Sequence, residues 1–364
     1  MQTHCLMCHA EFDASEKGHP CPACGRRMCG LEDLAGKFPP YELETAREVA
    51  RWMNTGPGAI AGGINEFVQG FSSGVGLMVP QRVADEITRS ITKLLEFLQT
   101  LSCYTVIRDE EALQKRLQES FGEGRTADVL AKIVTTASGK GVLQLANDLG
   151  YRAETVSDLR RLNLIEVDKL VGSDMGFFSG STGLATLEGF FTGLGTLALL
   201  ALDVVAVTAI NFRYVERIAT CFGYDQDVPS EKIVTLRVFA AAFGGDFRLQ
   251  ATLPAKVTAA YELKSLTSAV AKQWTLTQMA EDEHLRDMLT WLKQDAPKQF
   301  TKYIISRKAP AAIPIIGAGI GATMNYILTS DTGKAAWYYY RYRKLLEDFG
   351  GLDGVEKPSV LSLR

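Results

Sequence analysis

The chain has 364 residues, of which 46% are hydrophobic and 22% are charged, and its formal net charge at neutral pH is −3. This composition excludes a disordered chain, and the length is sufficient to bury a large core. Because acidic and basic residues nearly balance, we expect no nucleic-acid binding through a general basic surface.

Four cysteines at the start of the chain have the spacing of a metal site. They form two C-x-x-C pairs, Cys5 with Cys8 and Cys21 with Cys24, separated by twelve residues. Each pair turns two thiolates toward one ion, and the loop brings the second pair around to complete a tetrahedron. We predict one structural Zn2+ in a zinc-ribbon module over residues 1–37.

Two other interpretations of these cysteines are unliganded thiols and disulfides in a secreted peptide. Residues 1–30 lack the charged start, apolar stretch and cleavage site of a signal peptide, so the sequence favours zinc. Three histidines near the pairs, His4, His9 and His19, are alternative ligands. We favour solvent-exposed or supporting positions for each of them.

The cysteine region also resembles the first half of a FYVE-type zinc finger, a family that binds phosphoinositide head groups. The resemblance rests on the two pairs, on His19-Pro20 before the second pair, and on Cys29 after it. Glu16-Lys17-Gly18-His19-Pro20 replaces the family's basic run, and Glu32 stands where a sixth cysteine would fall. A one-zinc ribbon that contacts a protein partner is therefore favoured over phosphoinositide binding.

The rest of the chain is predicted to be mainly α-helical. Hydrophobic residues recur at helical spacing, and alternating β-branched runs are scarce. We predict a helical linker with a glycine-rich segment over residues 38–79, a helical domain over 80–350 and a tail over 351–364. The predicted helices cover residues 43–53, 81–104, 112–121, 127–149, 153–171, 231–242 and 257–292.

Glycines four residues apart occur inside apolar stretches of the helical region. Residues four apart share a helix face, so such glycines let two backbones approach closely. Each glycine costs a helix about 1 kcal/mol relative to alanine, which favours a role in tight packing or in contact with lipid. We predict glycine-rich apolar hairpins with these positions: Gly172, Gly176, Gly180, Gly189, Gly193, Gly317 and Gly321.

Asp203 is a candidate functional polar residue within one of these stretches. Between Gly176 and Ile210 the charged residues are Glu188 and Asp203, and the two acids argue against a simple membrane span. In order of preference, Asp203 caps a helix start, pairs with a basic residue of another helix, or belongs to a functional polar site.

Several of these segments together resemble the EcsC family over roughly residues 80–350. They are the glycine-rich stretch 176–200, the break at residues 221–225 and, above all, the run 313–326, in which an apolar Pro-Ile-x-Gly entry leads into a small-residue helix ending in Asn325-Tyr326. Val204-Val205 follow Asp203 where many relatives have Leu-Pro. The family is named for a protein encoded beside an ABC transporter. The resemblance implies a helical domain that associates with a membrane from the cytoplasmic side, and it supplies no catalytic residues.

Aromatic and basic residues cluster between Trp337 and Lys344, near the end of the helical domain. Two interpretations are open for this stretch. Such residues are favoured at the lipid head-group boundary, and they also occur on helices whose tyrosines are partly buried and whose basic groups are solvated.

The sequence favours a non-enzymatic protein, since it contains no H-E-x-x-H, G-x-S-x-G or P-loop motif. We expect it to act in a transport, secretion or envelope process at the cytoplasmic face of a membrane, with lipid and a protein partner and no nucleic acid. One alternative is a soluble helical adaptor. Another is a lipid-modifying enzyme that uses Asp203, Asn211 or Asn325 in a buried polar pocket.

Overall fold

The structure is a computed structural model. It describes residues 2–6, 8–13, 21–24, 31–55, 80–98, 110–122, 126–128, 130–131, 134, 141–179, 197–244, 264–265, 268–269, 272, 275–301 and 317–350. Across these ranges the chain is mainly helical, with one small sheet at its start. The predicted fold class is therefore confirmed, while the hairpin tips lie outside the described residues.

The chain begins with a short hairpin and a 3-10 helix. Strands β1 (Gln2–His4) and β2 (Glu11–Asp13) pair antiparallel, with Thr3 opposite Phe12. The 3-10 helix covers Glu32–Lys37 and contacts β1. The helices that follow are α1 Pro40–Thr55, α2 Gln81–Leu98, α3 Glu110–Phe121, α4 Val142–Asp148, α5 Val156–Leu159, α6 Leu164–Ser179, α7 Leu197–Cys221, α8 Pro229–Gly244, α9 Leu276–Glu281, α10 Glu283–Gln294 and α11 Gly317–Asp348.

Two predicted helices are divided in the structure by capping residues. The segment 153–171 splits into α5 and α6, because Asn163 and Glu166 bond reciprocally to each other's backbone N–H and so begin a new helix. The segment 257–292 contains a break at Asp282, whose carboxylate accepts the N–H of Leu285 at 3.0 Å and caps α10. Both breaks depend on local hydrogen bonds that hydrophobic periodicity does not report.

Helix α7 lies at the centre of the bundle and contacts α2, α6, α8 and α11. It runs parallel to α11, since Tyr214 lies against Gly333 and the Phe222 ring lies 5.9 Å from the Tyr340 ring. The side chains of α7 are buried almost continuously from Val204 to its end. This burial explains why apolar residues occur on every face of α7, and its buried charged residues Arg213, Glu216 and Arg217 form ion pairs.

Helices α6 and α1 run antiparallel to α11. In α6, Asp168 pairs with Arg341 of α11. Asp174 lies further along α6 and pairs with Arg217 of α7, which comes before Phe222, the residue that packs against Tyr340 of α11. The end of α6 therefore lies nearer to the start of α11 than Asp168 does. In α1, the Phe38 ring just before the helix lies 4.9 Å from Phe349, and the Trp52 ring stacks 5.1 Å from Tyr338.

These directions give the bundle two distinct ends. At one end, α6 finishes at Ser179 while α7 and α11 begin at Leu197 and Gly317; we call this the glycine-rich end. At the other, Phe38 just before α1 lies beside Phe349 at the end of α11, and the N-terminal hairpin contacts the 3-10 helix that precedes α1; we call this the cysteine end.

Two glycines allow close approach in the described bundle. Gly333 has no room for a side chain, because a Cβ there would lie 2.7 Å from Cζ of Tyr214 in α7. Gly223, in the turn after α7, has a φ of +80°, and a Cβ there would lie 2.9 Å from Cα of Arg160. Among the described helices, none combines the length and apolarity needed to cross a membrane.

Candidate metal centre

The four cysteines of the two pairs converge in the structure. The Sγ atoms of Cys5 and Cys24 are 3.7 Å apart, and those of Cys8 and Cys21 are 3.6 Å apart. All four sulfurs lie within 4.8 Å of one another. A tetrahedral zinc site with Zn–S bonds of about 2.3 Å separates its sulfurs by about 3.8 Å, whereas a disulfide bond is about 2.05 Å long. The four cysteines therefore form no disulfide bond with one another, and their sulfurs have the spacing of a tetrahedral metal site.

The hairpin positions the first pair of sulfurs. The backbone N–H of Cys5 donates to Ala10 at 3.0 Å, and that of His9 donates to Cys5 at 2.9 Å. His9 takes a left-handed conformation with a φ of 63° to close this turn. A backbone hydrogen bond at Ala10, assisted by the neighbouring cysteines, lowers the pKa of the Cys8 thiol to about 7. This shift favours the thiolate form that metal binding requires.

The cysteine module docks on the helical bundle through a few side chains. Leu6, between the first two cysteines, is 4% exposed and belongs to the same hydrophobic core as Leu34 and Phe38. His9 is exposed, and its Nδ1 lies 3.3 Å from Nη2 of Arg47 in α1. It therefore contacts α1 instead of joining the four sulfurs. The side chains of His4 and His19 lie outside the described residues.

The structure places Asp203 in the second turn of α7, since that helix begins at Leu197. The prediction that Asp203 caps a helix start is therefore wrong, because the helix extends over the apolar residues before it. The Asp203 side chain lies outside the described residues. Asn211 and Asn325 are buried in α7 and α11, and neither side-chain Oδ1 has a partner within the described part of the chain. The pocket proposed for these three residues stays a prediction.

The predicted packing glycines are described unevenly. Gly172 lies in α6 and is exposed, and no described atom lies within 4 Å of a Cβ built on it. It therefore mediates no close helix contact with the described residues. Gly176 lies in the last turn of α6, and Gly317 and Gly321 lie in the first turns of α11. Gly180, Gly189 and Gly193 lie outside the described residues.

Asp168 of α6 joins three helices by accepting hydrogen bonds from two of them. Its carboxylate accepts from Nε and Nη2 of Arg341 at 2.9 and 2.7 Å, and from the Trp337 indole N–H and the Tyr41 hydroxyl at 2.8 Å each. Burial and the hydrogen bond to Asp168 raise the pKa of Tyr41 to about 12. Arg341 also donates to Glu48 of α1 at 2.7 Å. This carboxylate therefore fixes α1, α6 and α11 relative to one another.

Arg343, two residues after Arg341 in α11, forms a second buried network. It donates to both carboxylate oxygens of Glu231 at 2.6 and 2.7 Å, and its Nε donates to Glu347 at 2.7 Å. Its guanidinium lies 3.8 Å from the centre of the Tyr224 ring. Although burial favours the neutral acid, Arg343 and Arg160 hold the pKa of Glu347 below its usual range.

These two networks bear on both interpretations of the aromatic and basic stretch near the C terminus. Arg341, Arg343 and Tyr340 are buried, and the charges are matched by acids of α1, α6 and α8. The lipid-boundary interpretation is wrong for these residues, because they are enclosed by other helices. The solvated-base interpretation is also wrong for the two arginines, which are in the core with their partners.

Comparison with known proteins now gives the family. A family model described as the EcsC protein family matches residues 44–345. The chain belongs to the EcsC family. It is 24% identical over 243 residues to Protein EcsC of Bacillus subtilis (strain 168), which covers 66% of this chain and 89% of that protein. It is 22% identical over 198 residues to YdbA of the same strain, which covers 53% of this chain and 64% of that protein. No solved structure matches.

The EcsC region begins earlier than the resemblance from residue 80 suggested, since the match starts inside α1. The packing of α1 gives the physical reason: Trp52 stacks on Tyr338 of α11, and Glu48 pairs with Arg341. The four clustered cysteines lie before the EcsC match. The cysteine cluster therefore lies outside the part of the chain that matches the EcsC family.

Proposed function

We propose that this protein is a non-enzymatic, membrane-associated member of the EcsC family with one structural Zn2+ in its N-terminal module. It serves a transport, secretion or envelope process at the cytoplasmic face of a membrane. The observation that carries the proposal is the direction of α6, α7 and α11, which places the glycine-rich end and the cysteine end on opposite sides of the bundle.

The glycine-rich end is the part of the bundle that we assign to the membrane. Helix α7 begins Leu-Ala-Leu-Leu-Ala-Leu, and α11 begins with three glycines within five residues. Both starts are uncharged, and they lie on the same side because the two helices run parallel. Apolar helix starts with small residues favour close helix contacts in a lipid environment.

The cysteine end is the part that we assign to a protein partner. The cluster has two buried sulfurs and two exposed cysteines, so a Zn2+ there would be held partly at the surface. Four thiolates leave no open coordination position, and the metal would stabilise the fold of the module without taking part in chemistry. A module that faces away from the lipid is accessible to a cytoplasmic protein.

Liposome flotation of the full chain, in neutral and in anionic vesicles, tests the membrane assignment. We expect the wild-type chain to float. Gly317→Leu places a large side chain at the glycine-rich end and should reduce the floating fraction, because close helix contacts there are lost. Gly172→Leu is the matched control, since Gly172 is exposed and faces no described atom within 4 Å.

Two outcomes would count against this proposal. A wild-type chain that stays at the bottom of the gradient in both lipid mixtures would favour the soluble adaptor. Equal flotation of the two variants would remove the role assigned to the start of α11. Retained flotation of Gly172→Leu with loss in Gly317→Leu is the result that we expect.

A further inference from the structure

Helix α7 contains a buried ion pair that is only partly satisfied. Arg213 and Glu216 are 2% and 0% exposed, and Nη1 of Arg213 donates to one oxygen of Glu216 at 2.7 Å. Within the described residues, Nε and Nη2 of Arg213 and the other carboxylate oxygen of Glu216 are buried without a hydrogen-bond partner. Unpaired buried polar groups are costly, so such an arrangement needs a physical reason.

Two of the other buried arginines, Arg217 and Arg341, bind a carboxylate through the edge that is unpaired in Arg213. Arg217, one turn later in α7, donates from Nε and Nη2 to Asp174. Arg341 uses the same two nitrogens to bind Asp168. In both cases the Nε–H and Nη2–H groups, which lie side by side on one edge of the guanidinium, donate to one carboxylate. Arg213 presents the same edge with no described acid opposite it.

The Phe212 ring, one residue before Arg213, lies 5.5 Å from the Phe239 ring, so this part of α7 packs against α8. Burial raises the pKa of Glu216 to about 7, while Arg213 and Lys232 oppose the rise and Asp227 adds to it. Lys232 lies in the first turn of α8 and Asp227 just before that helix.

We propose that the Nε and Nη2 edge of Arg213 binds a small oxyanion, a carboxylate or a phosphate, where α7 packs against α8. Two parallel N–H donors match two oxygens of either group. The ligand would occupy the place that Asp174 takes at Arg217 and Asp168 takes at Arg341. This site is independent of the metal centre and of the membrane assignment.

Isothermal titration calorimetry of the full chain, with inorganic phosphate and separately with acetate, tests the proposal. We expect one anion to bind per chain. Arg213→Lys keeps the positive charge but loses the parallel donors, so the affinity should fall about tenfold or more. Arg161→Lys is the matched control, because Arg161 is exposed and pairs with Asp158. It should bind the anion as the wild type does.

A second variant keeps the test decisive if Arg213→Lys does not fold. Glu216→Gln removes the negative charge beside Arg213, and we expect the anion to bind several-fold more tightly at pH 8. Binding of either anion with this pattern supports the site. Absence of binding by both anions, an equal loss in Arg161→Lys, or an unchanged affinity in Glu216→Gln would overturn it.

Discussion

At the residue scale, Glu216 is the side chain whose surroundings have the clearest consequence for pH dependence. Burial raises its pKa from 4.5 to about 7. Between these pH values the folded chain binds a proton that the unfolded chain does not. The stabilising contribution of this proton is therefore complete below pH 4.5 and is lost as the pH rises through 7. The free energy of unfolding should fall by about 3 kcal/mol over this range.

Glu216→Gln should remove this part of the pH dependence, because an amide does not titrate. Urea denaturation at a series of pH values between 4.5 and 8 measures the change, and the variant should become more stable relative to wild type as the pH rises. Glu119→Gln is the control, since Glu119 is exposed on α3. If the free energy of unfolding of Glu216→Gln falls with pH as steeply as that of the wild type, other groups cause the pH dependence.

Two glycines in helices should respond in opposite directions to the same substitution. Gly333→Ala introduces a Cβ that overlaps the Tyr214 ring, so α7 and α11 must move apart, and we expect a loss of about 1–3 kcal/mol. Gly172→Ala adds a Cβ to an exposed helix position with no described atom within 4 Å. It should gain up to about 1 kcal/mol. Chemical denaturation of both variants measures the difference, and equal effects would contradict the close contact at Gly333.

At the scale of elements, the cysteine module and α1 are coupled through a shared hydrophobic core. Leu6 packs into that core with Leu34 and Phe38, and His9 contacts Arg47. A metal that fixes the four sulfurs would therefore also fix the position of Leu6. Loss of the metal should loosen the module and the start of α1, while α7 and α11 keep their own contacts.

Cys21→Ser tests this coupling. We expect loss of bound zinc, measured by elemental analysis, and faster hydrogen exchange in the 3-10 helix and the start of α1. Exchange in α7 should stay unchanged. Cys221→Ser is the control, because Cys221 is buried at the end of α7 and lies outside the cluster. Unchanged zinc content in Cys21→Ser would exclude this cysteine as a ligand.

At the scale of the whole molecule, the two ends of the bundle separate the proposed roles. The start of α1, which follows the cysteine module, lies beside Phe349, whereas α7 and α11 begin at the far end of the bundle. The buried networks of Arg341 and Arg343 occupy the α11 half nearest to the cysteine end. Membrane contact and partner contact can therefore occur on the same chain without competing for one surface.

Deletion of residues 1–37 tests this separation. If lipid contact belongs to the glycine-rich end, the shortened chain should float with liposomes as the full chain does. Binding to a cytoplasmic partner should be lost, since the cysteine module is removed. The far-UV circular dichroism spectrum is the control for a surviving bundle. Loss of flotation with a preserved helical spectrum would move the lipid contact to the cysteine module.

The helices with strong periodicity and the four-cysteine cluster could be predicted from the sequence because both depend on local spacing. Two C-x-x-C pairs specify convergence whatever surrounds them, and α2 and α3 were expected from their hydrophobic pattern. Asp203 was less predictable, because apolar residues before it extend α7 past the expected helix start. The residues around Asp203 in the sequence do not indicate whether its carboxylate pairs with a basic residue or belongs to a functional polar site.

The sequence by itself determined the helical class, the EcsC resemblance and the grouping of the four cysteines, since these properties follow from residues close together in the chain. The tertiary structure alone decided that Arg341 and Arg343 are buried and that Gly333, not Gly172, is closely packed. The partners Asp168, Glu231 and Tyr214 each lie more than a hundred residues away along the chain. Burial depends on which distant helices pack together, and local spacing does not contain that information.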